Sequence, residues 1–370
     1  MGLNPCASSM KKFLLVVFFI PLLAQSQPSA AKSDSALYAD SVKFFSKAIS
    51  LQPGNSVTYY KRGSTKFRLK DYTGALSDLD SAIILNAKYE EAYLERGRTK
   101  YALNNYDDAI EDYSLVIKLN SNNASAFNNR GLAKQKKDLK GSLADLNQAV
   151  LLNPKDPVFY SNRGDTKRIG QDFKGALADY NVAISLNPNF LNAYYARGIV
   201  KYDQQDYAGE VLDDTKAISI DSSYANAYYN RALARAKLNI YDDAVDDCTE
   251  YINLQPHDPD GYYERGNNEF NLEDYKTAID DYTICIKIDK KYTAAYLNRG
   301  LAKSNLGDFD GAVKDYDTAI KIDPKFADAY NNRGVIMVQL KDLKRACMDF
   351  KKALELGSDQ AGDNISKYCN

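Results

Sequence analysis

The side chains that catalysis draws on are scarce in this chain or stand without partners. Histidine occurs once, as His257, in a turn between Pro256 and Pro259, with no carboxylate or thiol recurring beside it. An imidazole does general acid–base work only when a substrate proton lies within its reach, and an exposed loop position is the ordinary reading. Asp242-Asp243 and Asp246-Asp247 have the right type for calcium or acid–base chemistry. The first of these pairs, however, opens a helical pattern, where negative charge is favoured anyway. No zinc-ligand spacing, phosphate-cradling glycine loop or nucleophile motif is found. The chain therefore reads as a non-enzyme with no cofactor and no metal. Of the five cysteines, Cys248 and Cys285 fall on apolar stripes and read as small core hydrophobes. Cys347 lies on the last amphipathic helix and Cys369 in the terminal segment. A disulfide between them would staple that end in an oxidising compartment, provided their Cα atoms come within ~7 Å.

Ionic residues, by contrast, recur with a fixed period. Arginine stands at Arg62, Arg96, Arg130, Arg163, Arg197, Arg231, Arg265, Arg299 and Arg333, followed by Gly everywhere except at Arg231-Ala232. The spacing is 34 residues, with a single 33 between Arg130 and Arg163. A second column is Asp78, Asp112, Asp145, Asp179, Asp213, Asp247, Asp281, Asp315 and Asp349. A third lies four residues after each arginine: Lys66, Lys100, Lys134, Lys167, Lys201, Arg235 and Lys303, broken by Glu269 and Met337. A planar guanidinium facing a carboxylate across two antiparallel helices can grip it with two parallel donors. The expectation is one Arg–Asp pair inside each repeat, with pairing between repeats as the alternative. Half-buried, such a pair strands a charge when one partner is deleted, at about 3–5 kcal/mol; solvated, it contributes ~0–1 kcal/mol. Either way the columns are architecture and not a ligand site.

The elements that hold these columns are helix pairs. In the eighth unit Ala294 to Leu306 reads as a first helix and Phe309 to Ile322 as a second, with Gly307-Asp308 as the turn and Pro324 closing the unit. Gly accepts the left-handed geometry after a helix, and Pro cannot continue one. Phe309, Ala312, Val313, Tyr316, Ala319 and Ile320 recur at three and four residues, which makes one apolar stripe. A pair this short cannot bury its stripe alone, so neighbours must stack. The fifth unit departs from the pattern. Glu210 takes the place of the small Ala and Asp214 that of the aromatic, with Lys201 placed to neutralise Glu210. Drift tolerated in one repeat of nine outweighs a local bend or a binding feature here.

This pattern resembles the tetratricopeptide repeat (TPR) family. The opening aromatic is Tyr59, Tyr93, Phe127, Tyr160, Tyr194, Tyr228, Tyr262, Tyr296 and Tyr330, and closing prolines stand at Pro53, Pro154, Pro188, Pro256 and Pro324. The family places an apolar residue where this chain has Arg. The resemblance implies an all-α fold, a right-handed superhelical α-solenoid of stacked antiparallel helix pairs, whose first helices line a concave wall that binds peptides or proteins. Asn129, Asn162, Asn230, Asn298 and Asn332 each precede an arginine. An amide side chain can pair with the backbone of an extended peptide, so these five are the peptide-binding candidates; solvation of the helix face is the plainer reading.

Lys+Arg 48 against Asp+Glu 49 gives a net charge of −1, which argues against a nucleic-acid binder, since that needs a basic stripe. The 29 tyrosines, with no Trp, suit a core whose aromatic ends stay wet. Lys11-Lys12, the apolar run Phe13 to Leu23 and the small residues around Ala24-Gln25-Ser26 read as a secretion signal, with Met10 a more natural start than Met1. The run is too short for a membrane-spanning helix, which needs about 20 residues. The expected organisation is a signal peptide at 1–26, a linker at 27–35, a half repeat at 36–55 with a second helix only, nine repeats over 56–360 and a capping helix at 361–370. The expected function is an exported scaffold, periplasmic or extracellular, that docks a protein or peptide, with no transmembrane segment after signal cleavage. A structural spacer or self-associating element is the alternative.

Overall fold

The computed structural model describes residues 34–369, and within them the chain is helical throughout, with no strand. The signal expected at 1–26 and residues 27–33 of the expected linker lie outside the described residues. The chain forms two compact bodies, residues 34–196 and 197–369, divided within one helix.

In the first body a lone helix α1 (Asp34–Leu51) precedes four pairs. These are α2 (Ser56–Arg68) with α3 (Tyr72–Leu85), α4 (Glu90–Ala102) with α5 (Tyr106–Leu119), α6 (Ala124–Lys134) with α7 (Leu139–Leu152), and α8 (Pro157–Ile169) with α9 (Phe173–Leu186). Helix α10 (Leu191–Asp203) carries the division. The second body continues with α11 (Tyr207–Ile220), then α12 (Ala225–Lys237) with α13 (Tyr241–Leu254), α14 (Pro259–Asn271) with α15 (Tyr275–Ile288), α16 (Thr293–Asn305) with α17 (Phe309–Ile322), and α18 (Ala327–Gln339) with α19 (Leu343–Glu355), closed by α20 (Asp359–Tyr368). Two boundaries differ from expectation. Helix α1 starts at Asp34, so positions 34 and 35 of the expected linker are helical, and α20 begins at Asp359 instead of 361.

Local chemistry accounts for the hairpins. Most second helices open on an aspartate whose carboxylate accepts the backbone N–H three residues on, as Asp172 does from Gly175 at 2.9 Å and Asp308 from Gly311 at 2.9 Å. The residue before that cap takes a left-handed backbone: Lys70, Asn104, Gln171, Gln205, Asn239, Glu273, Lys341 and Gly307 all have positive φ. The pair α6–α7 lacks this residue, which locates the single 33-residue spacing in its turn. Where the two helices cross, a glycine on the first lets a ring on the second lie against bare backbone. A Cβ at Gly300 would stand 2.6 Å from the Tyr316 ring, and one at Gly334 would meet Phe350 at 2.6 Å.

Within each body, first helices of successive pairs touch one another (α2 with α4, α4 with α6, α6 with α8; α12 with α14, α14 with α16, α16 with α18). Second helices of successive pairs make no such contact. The first helices therefore form the tighter, inner side of each body.

The C-terminal end is closed deliberately. Ile365, Tyr368 and Cys369 of the α20 region pack on Met337, Ala346 and Phe350. Asn364 donates to Asn331 at 2.9 Å. Cys347 and Cys369 are disulfide-bonded with Cα atoms 5.6 Å apart, while Cys248 and Cys285 are free and buried. Reduction, or Cys347→Ser, is expected to lower hydrogen-exchange protection across α20 by about 2–3 kcal/mol of local stability. Protection in α12 to α17 should not change. Undiminished protection of α20 would mean that the Tyr368 and Ile365 contacts hold it without the bond.

Candidate functional site

Each Arg of the first helix meets the Asp of its own second helix in a bidentate grip. Nε donates to Oδ2 at 2.7–3.0 Å and Nη2 to Oδ1 at 2.5–2.8 Å, for Arg62–Asp78, Arg96–Asp112, Arg130–Asp145, Arg163–Asp179, Arg197–Asp213, Arg231–Asp247, Arg265–Asp281, Arg299–Asp315 and Arg333–Asp349. The carboxylates are buried. The third column closes on the same aspartates: Lys66, Lys100, Lys134, Lys167, Lys201, Arg235 and Lys303 pair with them at 2.6–2.8 Å. Eight of these guanidinium groups also lie 5.3–5.9 Å from the opening aromatic three residues before them, as Arg96 does over Tyr93 and Arg265 over Tyr262.

One contact was not read from the sequence. The remaining guanidinium nitrogen, Nη1, reaches back to the helix immediately before its own, which is α1 for Arg62 and the preceding pair's second helix for the others. Its acceptors are Ser46 (3.0 Å), Asp80 (2.7 Å), Ser114 (3.1 Å) and Asn147 (3.0 Å) in the first body. In the second they are Thr215 (2.9 Å), Thr249 (3.1 Å), Thr283 (3.0 Å) and Asp317 (2.5 Å). Both pairings weighed from the sequence thus occur on one side chain. The signal was available as a fourth column of small polar residues sixteen positions before each Arg.

The five asparagines ahead of the arginines do not share one environment. Asn162 and Asn298 are buried and bonded inside the wall, Asn162 donating to Asn128 at 2.8 Å and Asn298 to Asn267 at 2.8 Å and Tyr263 at 3.1 Å. Asn129, Asn230 and Asn332 are half-buried, and Asn129 Oδ1 accepts from Asn128 at 3.1 Å. Of the five, only these last three keep a partly exposed side chain.

A tetratricopeptide repeat profile, described as "TPR repeat", matches residues 97–138, 164–205 and 305–341. A second profile, "Tetratricopeptide repeat", matches 327–359. The chain carries tetratricopeptide repeats. Among solved structures, the C-terminal part of a TPR repeat-containing protein from Cytophaga hutchinsonii is similar at 16% identity and a TM-score of 0.56, over 65% of this chain and 98% of that one. A tetratricopeptide repeat protein from Parabacteroides merdae shares 19% identity over 76% of this chain and 99% of that one, at a TM-score of 0.44. YrrB, named as a TPR protein with an unusual peptide-binding site, shares 22% over 51% of this chain and 97% of that one, at 0.44. No curated protein matches. TPR arrays are protein-interaction scaffolds, and no catalytic family is found in this one.

Buried acids break the pattern in two of the repeats. In the fifth, Lys201 does not neutralise Glu210 as expected. Its ammonium sits 2.8 Å from Asp213 and bonds the Gly209 carbonyl, because the array's own aspartate offers a full charge in the place the column fixes. Glu210 (2% exposed) and Asp214 (0%) are left with buried oxygens that no donor meets. Burial, then the charge of Asp214, pushes Glu210 up to about 10, and burial raises Asp214 well above the carboxylate range. Glu210 is therefore protonated at neutral pH, and Asp214 is driven toward its neutral form. In the seventh unit Glu269 replaces the lysine, and burial followed by the charge of Asp281 raises its carboxyl too.

Two outcomes follow. Asp315→Asn leaves Arg299 and Lys303 against a neutral amide and should cost about 2–4 kcal/mol in chemical denaturation, whereas Asp107→Asn, which breaks the exposed Lys137 pair, should change nothing measurable; equal effects would show the buried pairs to be solvated in practice. The raised carboxyls bind their protons more tightly folded than unfolded. Stability is therefore full below their ordinary unfolded values near 4 and falls as pH rises toward the folded ones. Melting temperature should drop between pH 5 and 9, and Glu210→Ala with Asp214→Tyr should flatten the slope; an unchanged slope would place the titration elsewhere.

Proposed function

We propose that the protein is an exported scaffold that docks an extended segment of a partner protein along the inner face of its first helices. The observation that carries this is the division of labour between helices. Second helices direct their aspartates and apolar stripes into the stack, whereas first helices alone contact one another and keep half-buried amides and tyrosines, Asn129, Asn230, Asn332, Tyr60 and Tyr229 among them, on the inner side. Half-desolvated amides favour a peptide backbone that supplies their missing donors and acceptors.

Export is part of the same reading. It is supported by the basic–apolar–small layout of residues 11–26 and by the Cys347–Cys369 bond, which persists in an oxidising compartment. No helix among the described residues is long and apolar enough to cross a membrane. End-on self-association is the second reading, favoured by the exposure of Phe44 (68%) and Leu51 (73%) on α1.

Photo-crosslinking separates the faces. A photoreactive residue at Asn230 or Asn332 should trap the partner in cell-envelope preparations, and one at Leu212 or Ile84, exposed on second helices, should not. Trapping only from the second helices would end the inner-face reading.

A further inference from the structure

Two glutamates of the inner face occupy the same register and meet different surroundings. Glu95 on α4 and Glu264 on α14 each stand immediately before the stapling arginine. Three residues on, α4 carries Arg98, whose Nη1 donates to Glu95 Oε2 at 2.8 Å. Helix α14 carries Asn267 there, which offers Glu264 Oε2 only a neutral amide hydrogen at 3.2 Å. The repeat thus contains its own control: one acid, one helix position, with the cation present in one case and absent in the other. Lys237 on α12 eases the Glu264 charge only from a distance, and burial with the charge of Asp260 holds the carboxyl up at about 7.

The uncompensated carboxyl is also held in a fixed orientation. Asn267 Oδ1 accepts from the Tyr282 hydroxyl at 2.9 Å and from Asn298 Nδ2 at 2.8 Å, which turns its amide hydrogens toward Glu264. Tyr282 is fully buried and Asn298 is buried, so this frame does not swing. Asp260, one turn earlier on α14, is fixed by the Tyr292 hydroxyl at 2.9 Å. The charge of Glu264 is felt at the hydroxyls of Tyr229, Tyr282 and Tyr292, each raised first by burial and further by this glutamate. A half-buried tyrosine on α12, two fixed acids on α14 and no paired cation make a spot of negative potential with an aromatic wall.

We propose that Glu264, with Asp260 below it and Tyr229 beside it, receives a lysine or arginine side chain from the docked segment, in the role that Arg98 plays for Glu95. A charge-assisted hydrogen bond to a half-desolvated carboxylate is among the stronger polar contacts, and the ring face adds attraction for the same cation. This assignment rests on the inner-face reading above and names the partner's chemistry at one point of it.

The test is selection from a displayed random peptide library against the full chain. Wild type should enrich peptides with Lys or Arg at one fixed place. Those peptides should bind about tenfold more weakly to Asn267→Arg, which supplies the internal cation, and to the isosteric Glu264→Gln, with both variants melting like wild type. Inner-face binders, identified by loss of binding when Asn230→Cys carries a bulky label, that lack a basic residue would overturn the assignment and leave the groove standing. Binders indifferent to that label, or none at all, would overturn both.

Discussion

A guanidinium carries five N–H donors in a rigid plane and no acceptor, so placed between helices it must find oxygens on more than one side. Here it finds them on two elements besides its own helix. It lies on its own first helix, grips the aspartate of its second helix with Nε and Nη2, and bonds the preceding pair's second helix with Nη1. The aspartate in turn accepts a lysine from one turn further along the first helix. The ionic column therefore fixes both the register within a hairpin and the register between neighbouring hairpins of each body. Apolar packing alone specifies this less sharply, because a stripe of Ala and Tyr offers several near-equivalent sliding positions. Where the column loses its cation, at Glu269, the carboxyl turns toward the neutral form instead.

The fold was largely legible because the repeat displays it nine times. The Arg-Gly period, the aromatic before it and the aspartate sixteen residues after it are each weak alone, and their common spacing leaves little choice of hairpin. The α16–α17 pair was placed to within a residue at each end. What stayed hidden depended on distance in space between units. The small polar residue that receives Nη1 varies among Ser, Thr, Asn and Asp, so no single letter recurs to mark it. The asparagine row misled for the same reason. One residue type at one register looks like one function, yet Asn162 and Asn298 face buried acceptors from neighbouring first helices while Asn129, Asn230 and Asn332 do not.

The fifth unit shows what the array tolerates. With no ring over Gly198, a Cβ added there would meet nothing nearer than Asp214 Oδ1 at 3.4 Å, whereas one at Gly300 would stand 2.6 Å from the Tyr316 ring. Two buried acids stand where Ala and an aromatic would pack, and the Arg197–Asp213 grip persists beside them. The ionic column and the apolar stripe therefore tolerate damage independently, which lets a repeat acquire chemistry on one without losing alignment through the other.

The one shortened repeat carries a related lesson. Its missing residue falls between α6 and α7, and Arg130 still holds Asp145 at 2.9 and 2.7 Å across a separation of 15 residues where the other pairs have 16. Length changes inside either helix would rotate every later side chain by about 100° and break the grip, while a change in the left-handed turn leaves both helices in phase. The turns between first and second helices are accordingly the places where this chain can gain or lose residues over evolutionary time, and the natural ports for grafting a new loop onto it.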